Sequence, residues 1–311
     1  ATRQVPLLLH MGEPQLALEK ALASGDTELL HLVILHAKDN LPPEPFFALF
    51  SPPAAAHALP LLVGYAAARD AKLLKDLYFH RDLPLPAAGL AVREGYRAEG
   101  LAQRLDGLKI AQGFYQANEA AREGGPQCAM LGRATTDQIQ LLQAQRQLEA
   151  DTAGIAPPPG LPLPAGAPSW RFVDTPLNET LHRCFCYGQA KAAERLRIEF
   201  RVPDRRWWRL KTRGLAHAQQ WGALWDFSNA KRAPVGLELF VEACMARGAR
   251  EEAARYAVRM PAAEAVPTLL KLAEPDAARR IAVQHKEKQP ELLRAVSTYV
   301  QEQERAMIDA H

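Results

Sequence analysis

The residues best able to do chemistry in this sequence are a few thiols and imidazoles. Cys184-Phe185-Cys186 follows His182 at short range, and thiolate and imidazole are the ligands that zinc favours. On a helix, residues two apart point to nearly opposite sides, so both thiols can hardly reach one ion. The two cysteines are therefore expected to be buried and inert, as free cysteines commonly are. His31 and His36 stand five apart with no partner set around them, and no metal or cofactor is expected there. Carboxylates are scattered over polar stretches without a pair placed for acid–base work. Glu251-Glu252, beside Arg250 and Arg255, is most simply the start of a helix, where the dipole favours acids. There is no phosphate-binding glycine loop, no His-Glu-x-x-His helix and no serine elbow. The expectation is a chain that is not an enzyme.

Pro203-Asp204-Arg205-Arg206-Trp207-Trp208-Arg209 is the densest aromatic and basic cluster. Tryptophan and arginine are the usual hot-spot residues of protein contacts. Arginine adds planar, bidentate pairing that survives partial burial. The plainer reading is a Trp filling the groove between two helical repeats while the arginines stay in water. Nucleic acid is not expected, because no basic stripe extends the cluster. The chain as a whole carries 38 basic against 35 acidic residues, a net charge of +3.

The elements that must position these residues are helices. The apolar set is dominated by Ala and Leu, and alternating β-branched runs are absent. Leu16, Ala17, Ala21 and Leu22 recur at helical spacing before Ser24-Gly25-Asp26, where Asp26 or Thr27 can cap the next helix. Asn40-Leu41-Pro42-Pro43 ends that helix. A further pair is expected over residues 54–69 and 71–79. Leu101 through Tyr115 make one long apolar stripe, and Thr135-Thr136-Asp137 reads as the cap of a second long helix beginning near Thr136. In the C-terminal half, turns at about thirty-residue intervals separate apolar helical segments, as in helical repeats. One helical pair cannot cover its own apolar face, so neighbours must stack. The fold expected is all-α, an α-solenoid of stacked antiparallel helical hairpins. Its divisions are residues 1–153, a Pro/Gly-rich linker over 154–169 and C-terminal repeats over 170–311, forming one continuous solenoid.

Four cysteines among 311 residues are too sparse for a disulfide scaffold and fit a reducing compartment. No apolar run approaches the roughly 20 residues that span a bilayer. The chain opens Ala-Thr-Arg-Gln-Val-Pro, with neither Met nor a signal pattern, and reads as a piece of a longer protein.

Several strings, in order, give the sequence a family likeness. They include Gln4-Val5-Pro6-Leu7-Leu8-Leu9, Ser24-Gly25-Asp26-Thr27, Leu73-Leu74-Lys75-Asp76-Leu77-Tyr78 and Ala134-Thr135-Thr136-Asp137-Gln138. Val202-Pro203-Asp204-Arg205-Arg206, Pro234-Val235-Gly236, Phe240-Val241-Glu242 and Ala254-Arg255-Tyr256-Ala257 continue it. The chain resembles the C-terminal part of vacuolar protein sorting subunit sixteen, a core subunit of the HOPS and CORVET tethering complexes. The likeness departs at residues 80–100 and at the linker. It implies an α-solenoid without enzymatic activity that binds the SM-type (Sec-one/Munc-eighteen-like) subunit of the same complex. Through that subunit it would engage SNAREs, alongside the other tether subunits. It further implies a cytoplasmic protein, peripheral on vacuole or lysosome and late-endosome membranes. The contact it implies lies across the 134–149 helix and the 203–208 segment. Its members are Ala134, Asp137, Gln138, Leu141, Gln145, Arg205, Arg206, Trp207 and Trp208. Ala134 matches a small position and Arg206 a basic one suited to an acidic patch. The alternative is a coat-type or membrane-surface helical repeat module binding other trafficking partners or lipid directly, but for lipid the basic stretch from Arg195 to Arg201 is interrupted by Glu199 and Phe200.

Overall fold

The computed structural model describes residues 1–51, 57–121, 124–156, 158, 161, 171–230 and 233–309, without the side chains of 304 and 306–309. Among these residues there are eighteen helices and no strand, so the expected all-α class holds. The chain forms two compact units, Ala1–Ile139 and Gln140–His311.

The first unit contains α1 (Gln4–His10), α2 (Pro14–Ser24), α3 (Thr27–Asn40), α4 (Pro43–Ala48), α5 (Leu59–Arg69), α6 (Ala71–His80), α7 (Pro84–Arg97), α8 (Leu101–Ala117) and the start of α9 (Gly125–Asp151). Prolines open α2, α4, α5 and α7, where the missing N–H costs nothing and the fixed φ suits the first turn. Asp26 is the cap of α3, its carboxylate accepting from the Glu28 N–H at 2.9 Å. Asp70 caps α6 in the same way, accepting from the Leu73 N–H at 3.0 Å. Its other oxygen lies 2.8 Å from Lys38 Nζ on α3, so one side chain closes a helix and ties two together. The helices from α1 to α6 pack around Leu18, Val33, Ile34, Phe46, Phe50 and Leu62, and α3 meets α1, α2, α4 and α5. The first of the two helices expected over residues 54–79 starts at Leu59, and residues 52–56 lie outside those described.

Within residues 80–100, α7 packs closely on α8. The reason is glycine on glycine. A Cβ on Gly107 would stand 2.8 Å from Gly95 Cα and 2.9 Å from the Ala91 carbonyl. Backbone lies on backbone there, and a side chain at Gly107 has nowhere to go.

The cap expected at Thr135-Thr136-Asp137 is corrected by α9, which already begins at Gly125. The two threonines lie inside the helix and donate back to the carbonyls of Leu131 and Gly132, each at 2.8 Å. The same hydroxyl that caps a helix end can bond the preceding turn instead.

The second unit contains the rest of α9, then α10 (Leu177–Cys186), α11 (Ala190–Glu199), α12 (Asp204–His217), α13 (Trp221–Ser228), α14 (Glu238–Met245), α15 (Arg250–Ala257), α16 (Ala262–Lys271), α17 (Pro275–Gln284) and α18 (Pro290–Asp309). Four hairpins share one closing device. Gly188, Gln219, Gly248 and Ala273 take φ values of 72°, 55°, 71° and 57°. The next residue in each case sends its N–H five residues back, to the carbonyls of Cys184, Leu215, Cys244 and Leu269. This is the Schellman ending, which satisfies the orphan carbonyls and turns the chain. Successive hairpins stack, α10 on α12, α12 on α14 and α16 on α18, over a core running from Leu148 to Val296. The repeated pair stacked on its neighbours is the solenoid architecture.

The unit boundary falls inside α9, whereas the sequence places it in the 154–169 linker. The last turns of α9 belong with the second unit because Gln145 Nε2 donates to the Thr175 carbonyl at 2.7 Å and to Thr180 Oγ1 at 2.8 Å. Glu149 also accepts from the Phe172 and Val173 N–H groups. Most of the linker itself, residues 157, 159–160 and 162–169, lies outside the described residues.

Candidate functional site

The aromatic–basic cluster is the first half of α12. Val202-Pro203 separates it from α11, and Asp204 sits in the first turn where its charge suits the dipole. Arg197 of α11 grips that turn, with its guanidinium 2.7 Å from Asp204 and 5.0 Å from the centre of the Trp207 ring.

Helical periodicity then divides the cluster. Trp207 is 2% exposed and meets Phe185 edge-on with centroids 5.2 Å apart. Trp208 is 8% exposed and stacks on Phe227 at 3.9 Å. Lys211 lies over the same Phe227 ring, and burial lowers its pKa. Both indoles therefore serve the interior, as the plainer sequence reading has it for one of them. Arg205, Arg206 and Arg209 are exposed. Among the described residues no carboxylate is paired with any of the three. Arg205, Arg209 and Arg213 follow one another at four-residue spacing along a groove of about 390 Å³, whose lining includes Pro234, Val235 and Leu239. Glu238 and Glu242 share that groove. Free guanidinium forks on a rigid helix can take carboxylates from an incoming surface.

The remaining expected contact residues lie on α9. Ala134 and Asp137 are exposed and Gln138 is half-buried, all in the first unit. Leu141 and Gln145 belong to the second unit and point inward, at 8% and 0% exposure. Gln145 is an internal tie to Thr175 and Thr180. Leu141, Gln145, Trp207 and Trp208 thus hold the fold, and Ala134, Asp137, Arg205 and Arg206 face out.

All four cysteines are buried, and burial pushes the Cys184 and Cys186 thiols up to about 12. Cys186 nevertheless has, besides the His182 that the sequence places near it, a second imidazole for company. His182, one turn before it, and His217, at the end of α12, bring their ring nitrogens close to its sulfur, all three ligand atoms lying within 4.8 Å of one another. His182 and His217 pack edge to face, with ring centroids 5.3 Å apart. His217 stands 31 residues after Cys186, so only the stacking of α10 on α12 joins them.

Stacked hairpins with a shared ending and outward arginines define an α-helical repeat protein of the solenoid class. The family model described as "Vps16, C-terminal region" matches residues 1–310, and the chain belongs to that family. It is 34% identical over 259 residues to Protein VACUOLELESS1 of Arabidopsis thaliana, covering 82% of this chain. It is 31% identical over 260 residues, again 82% of the chain, to a vacuolar protein sorting-associated protein 16 homolog of Dictyostelium discoideum. The Drosophila melanogaster homolog of the same name is 28% identical over 263 residues, 83% of the chain. In each case the match spans 28% of the relative's own length. No described helix is long and apolar enough to cross a membrane.

Proposed function

We propose that this chain is the helical-repeat portion of a vacuolar sorting tether subunit and that it docks an SM-type protein, placing it for SNARE-mediated fusion. The observation that carries the reading is the set of exposed, unpaired arginines on α12, fixed from beneath by two buried tryptophans, in a chain of the Vps16 C-terminal family. An acidic patch on the partner would meet Arg205 and Arg206, and complementary charge both speeds and orients such an encounter. Ala134 and Asp137 on α9 offer a separate small, close-fitting surface in the first unit. The other subunits of the tether would hold the remaining hairpins, and contact with membrane would come through the complex.

The test is co-purification with the SM-type subunit. Arg206→Glu should weaken binding at least ~10-fold, about 1.4 kcal/mol, while circular dichroism stays native. Ala134→Asp should weaken it separately. Full binding by both variants with native spectra would overturn the assignment. Flotation of the chain alone with anionic liposomes should give no bound protein; strong flotation would favour direct lipid attachment instead.

A further inference from the structure

We propose that His182, Cys186 and His217 form a binding site for a zinc-like transition metal ion, in a pocket that adjoins the α12 groove through Arg213, Leu239 and Glu242. The geometry is set by three features of the sequence. His182 and Cys186 are four residues apart on α10 and so share a face. His217 ends α12, three residues after Gly214. Gly214 is what lets the two helices meet, because a Cβ there would stand 2.5 Å from Phe185 Cβ and 3.1 Å from the His182 carbonyl. Close approach at Gly214 carries His217, one turn on, over His182 and Cys186.

A tetrahedral zinc site holds nitrogen at about 2.0–2.1 Å and sulfur at about 2.3 Å, which puts neighbouring ligand atoms about 3.3–3.6 Å apart. The His182 ring nitrogens lie 3.8 and 3.9 Å from Cys186 Sγ, and the three ligand atoms fall within 4.8 Å. Rotation of the two imidazoles by about 1 Å closes the difference. A His₂Cys set suits zinc or another borderline-soft ion and leaves one position open. His182 and His217 line a pocket of about 290 Å³ that also carries Glu242, so the open position can take water or that carboxylate. Arg213 and Arg247 line the same pocket and oppose a bare dication. On binding, the Cys186 S–H proton leaves to solvent and a sulfur–metal bond forms, so the bound ion retains one net positive charge beside Glu242.

The experiment is titration of the tag-free chain with Co²⁺ under reducing, metal-free conditions, followed by Zn²⁺ displacement. One equivalent should give tetrahedral d–d bands and a thiolate-to-cobalt charge-transfer band, which Zn²⁺ abolishes. Cys186→Ser should remove the charge-transfer band. His217→Gln should keep that band but weaken binding at least ten-fold. Cys184→Ala should change neither. Absence of the charge-transfer band in the wild-type chain overturns the proposal even if a variant fails to fold. So does binding that neither Cys186→Ser nor His217→Gln alters.

Discussion

The α7–α8 pair of the first unit and the α12–α13 hairpin of the second solve the same packing problem in opposite ways. In α7–α8 the side chains are removed, and Gly95 and Gly107 let two backbones touch. In α12–α13 the gap is filled by Trp208 stacked on Phe227, while Trp207 on the same helix wedges against Phe185 of α10. A glycine contact fixes only the distance between two helices. An aromatic contact also fixes rotation about the helix axis, because a large flat ring fits one way round. That is why the outward arginines of α12 have a defined direction, which suits the docking role proposed for them. Interiors packed to crystal-like density transmit such constraints to the surface above them.

The contrast can be broken most severely at the aromatic end. Trp208→Ala should cost about 3–5 kcal/mol, through lost burial and the cavity left behind, and should lower the midpoint of urea unfolding without a matching change in slope. Removing the glycine contact should cost less. Gly107→Ala should destabilise by about 1–3 kcal/mol, the range for overpacking. Gly113→Ala, six residues on in the same helix with open space around it, should be neutral or stabilising by up to about 1 kcal/mol. Equal effects at the two glycines would mean that helix propensity rather than backbone contact sets the requirement.

A smaller effect is expected at Asp70, which serves as helix cap and ion-pair partner in one. The hydrogen bond from Lys38, then that from the Leu73 N–H, holds the Asp70 carboxyl below its ordinary range. The Lys38 ammonium is held above its own, first by its hydrogen bond to Asp70. A depressed carboxyl contributes stability above its unfolded pKa and loses that contribution as pH falls through the folded value. Asp70→Asn should cost up to about 1 kcal/mol near neutrality, through the lost ion pair, since asparagine keeps the cap and the pair is partly exposed. The difference between wild type and variant should shrink on acidification below the ordinary carboxylate range. A gap in thermal midpoint that stays constant with pH would remove the ion pair from the account.

Much of this was legible in the sequence, for identifiable reasons. Gly188 and Gly248 mark hairpin turns because the left-handed conformation favours glycine, whereas Gln219 and Ala273 adopt the same φ and leave no such mark. Asp26 reads as a cap because its carboxylate has only the helix start to bond. Thr135 and Thr136 misled because a hydroxyl bonds equally well to the turn behind it. The 205–209 run reads as one aromatic–basic patch in the chain, yet helical rotation sends both tryptophans inward and the arginines outward. Gln145 is implied as a contact residue, but Thr175 and Thr180, which make it an internal tie, lie thirty and thirty-five residues away. His217 was invisible for the same reason. Local signals survive in one dimension, and contacts between hairpins do not.

The most direct test is calorimetric titration of the SM-type subunit into the wild-type chain and into an Arg205→Glu, Arg206→Glu double variant, each with its melting temperature measured alongside. Binding should fall at least ~100-fold, about 2.7 kcal/mol, while the midpoint of melting moves by no more than a few degrees, since both side chains lie outside the core. An unchanged dissociation constant in a folded double variant would contradict the claim that these arginines hold the partner.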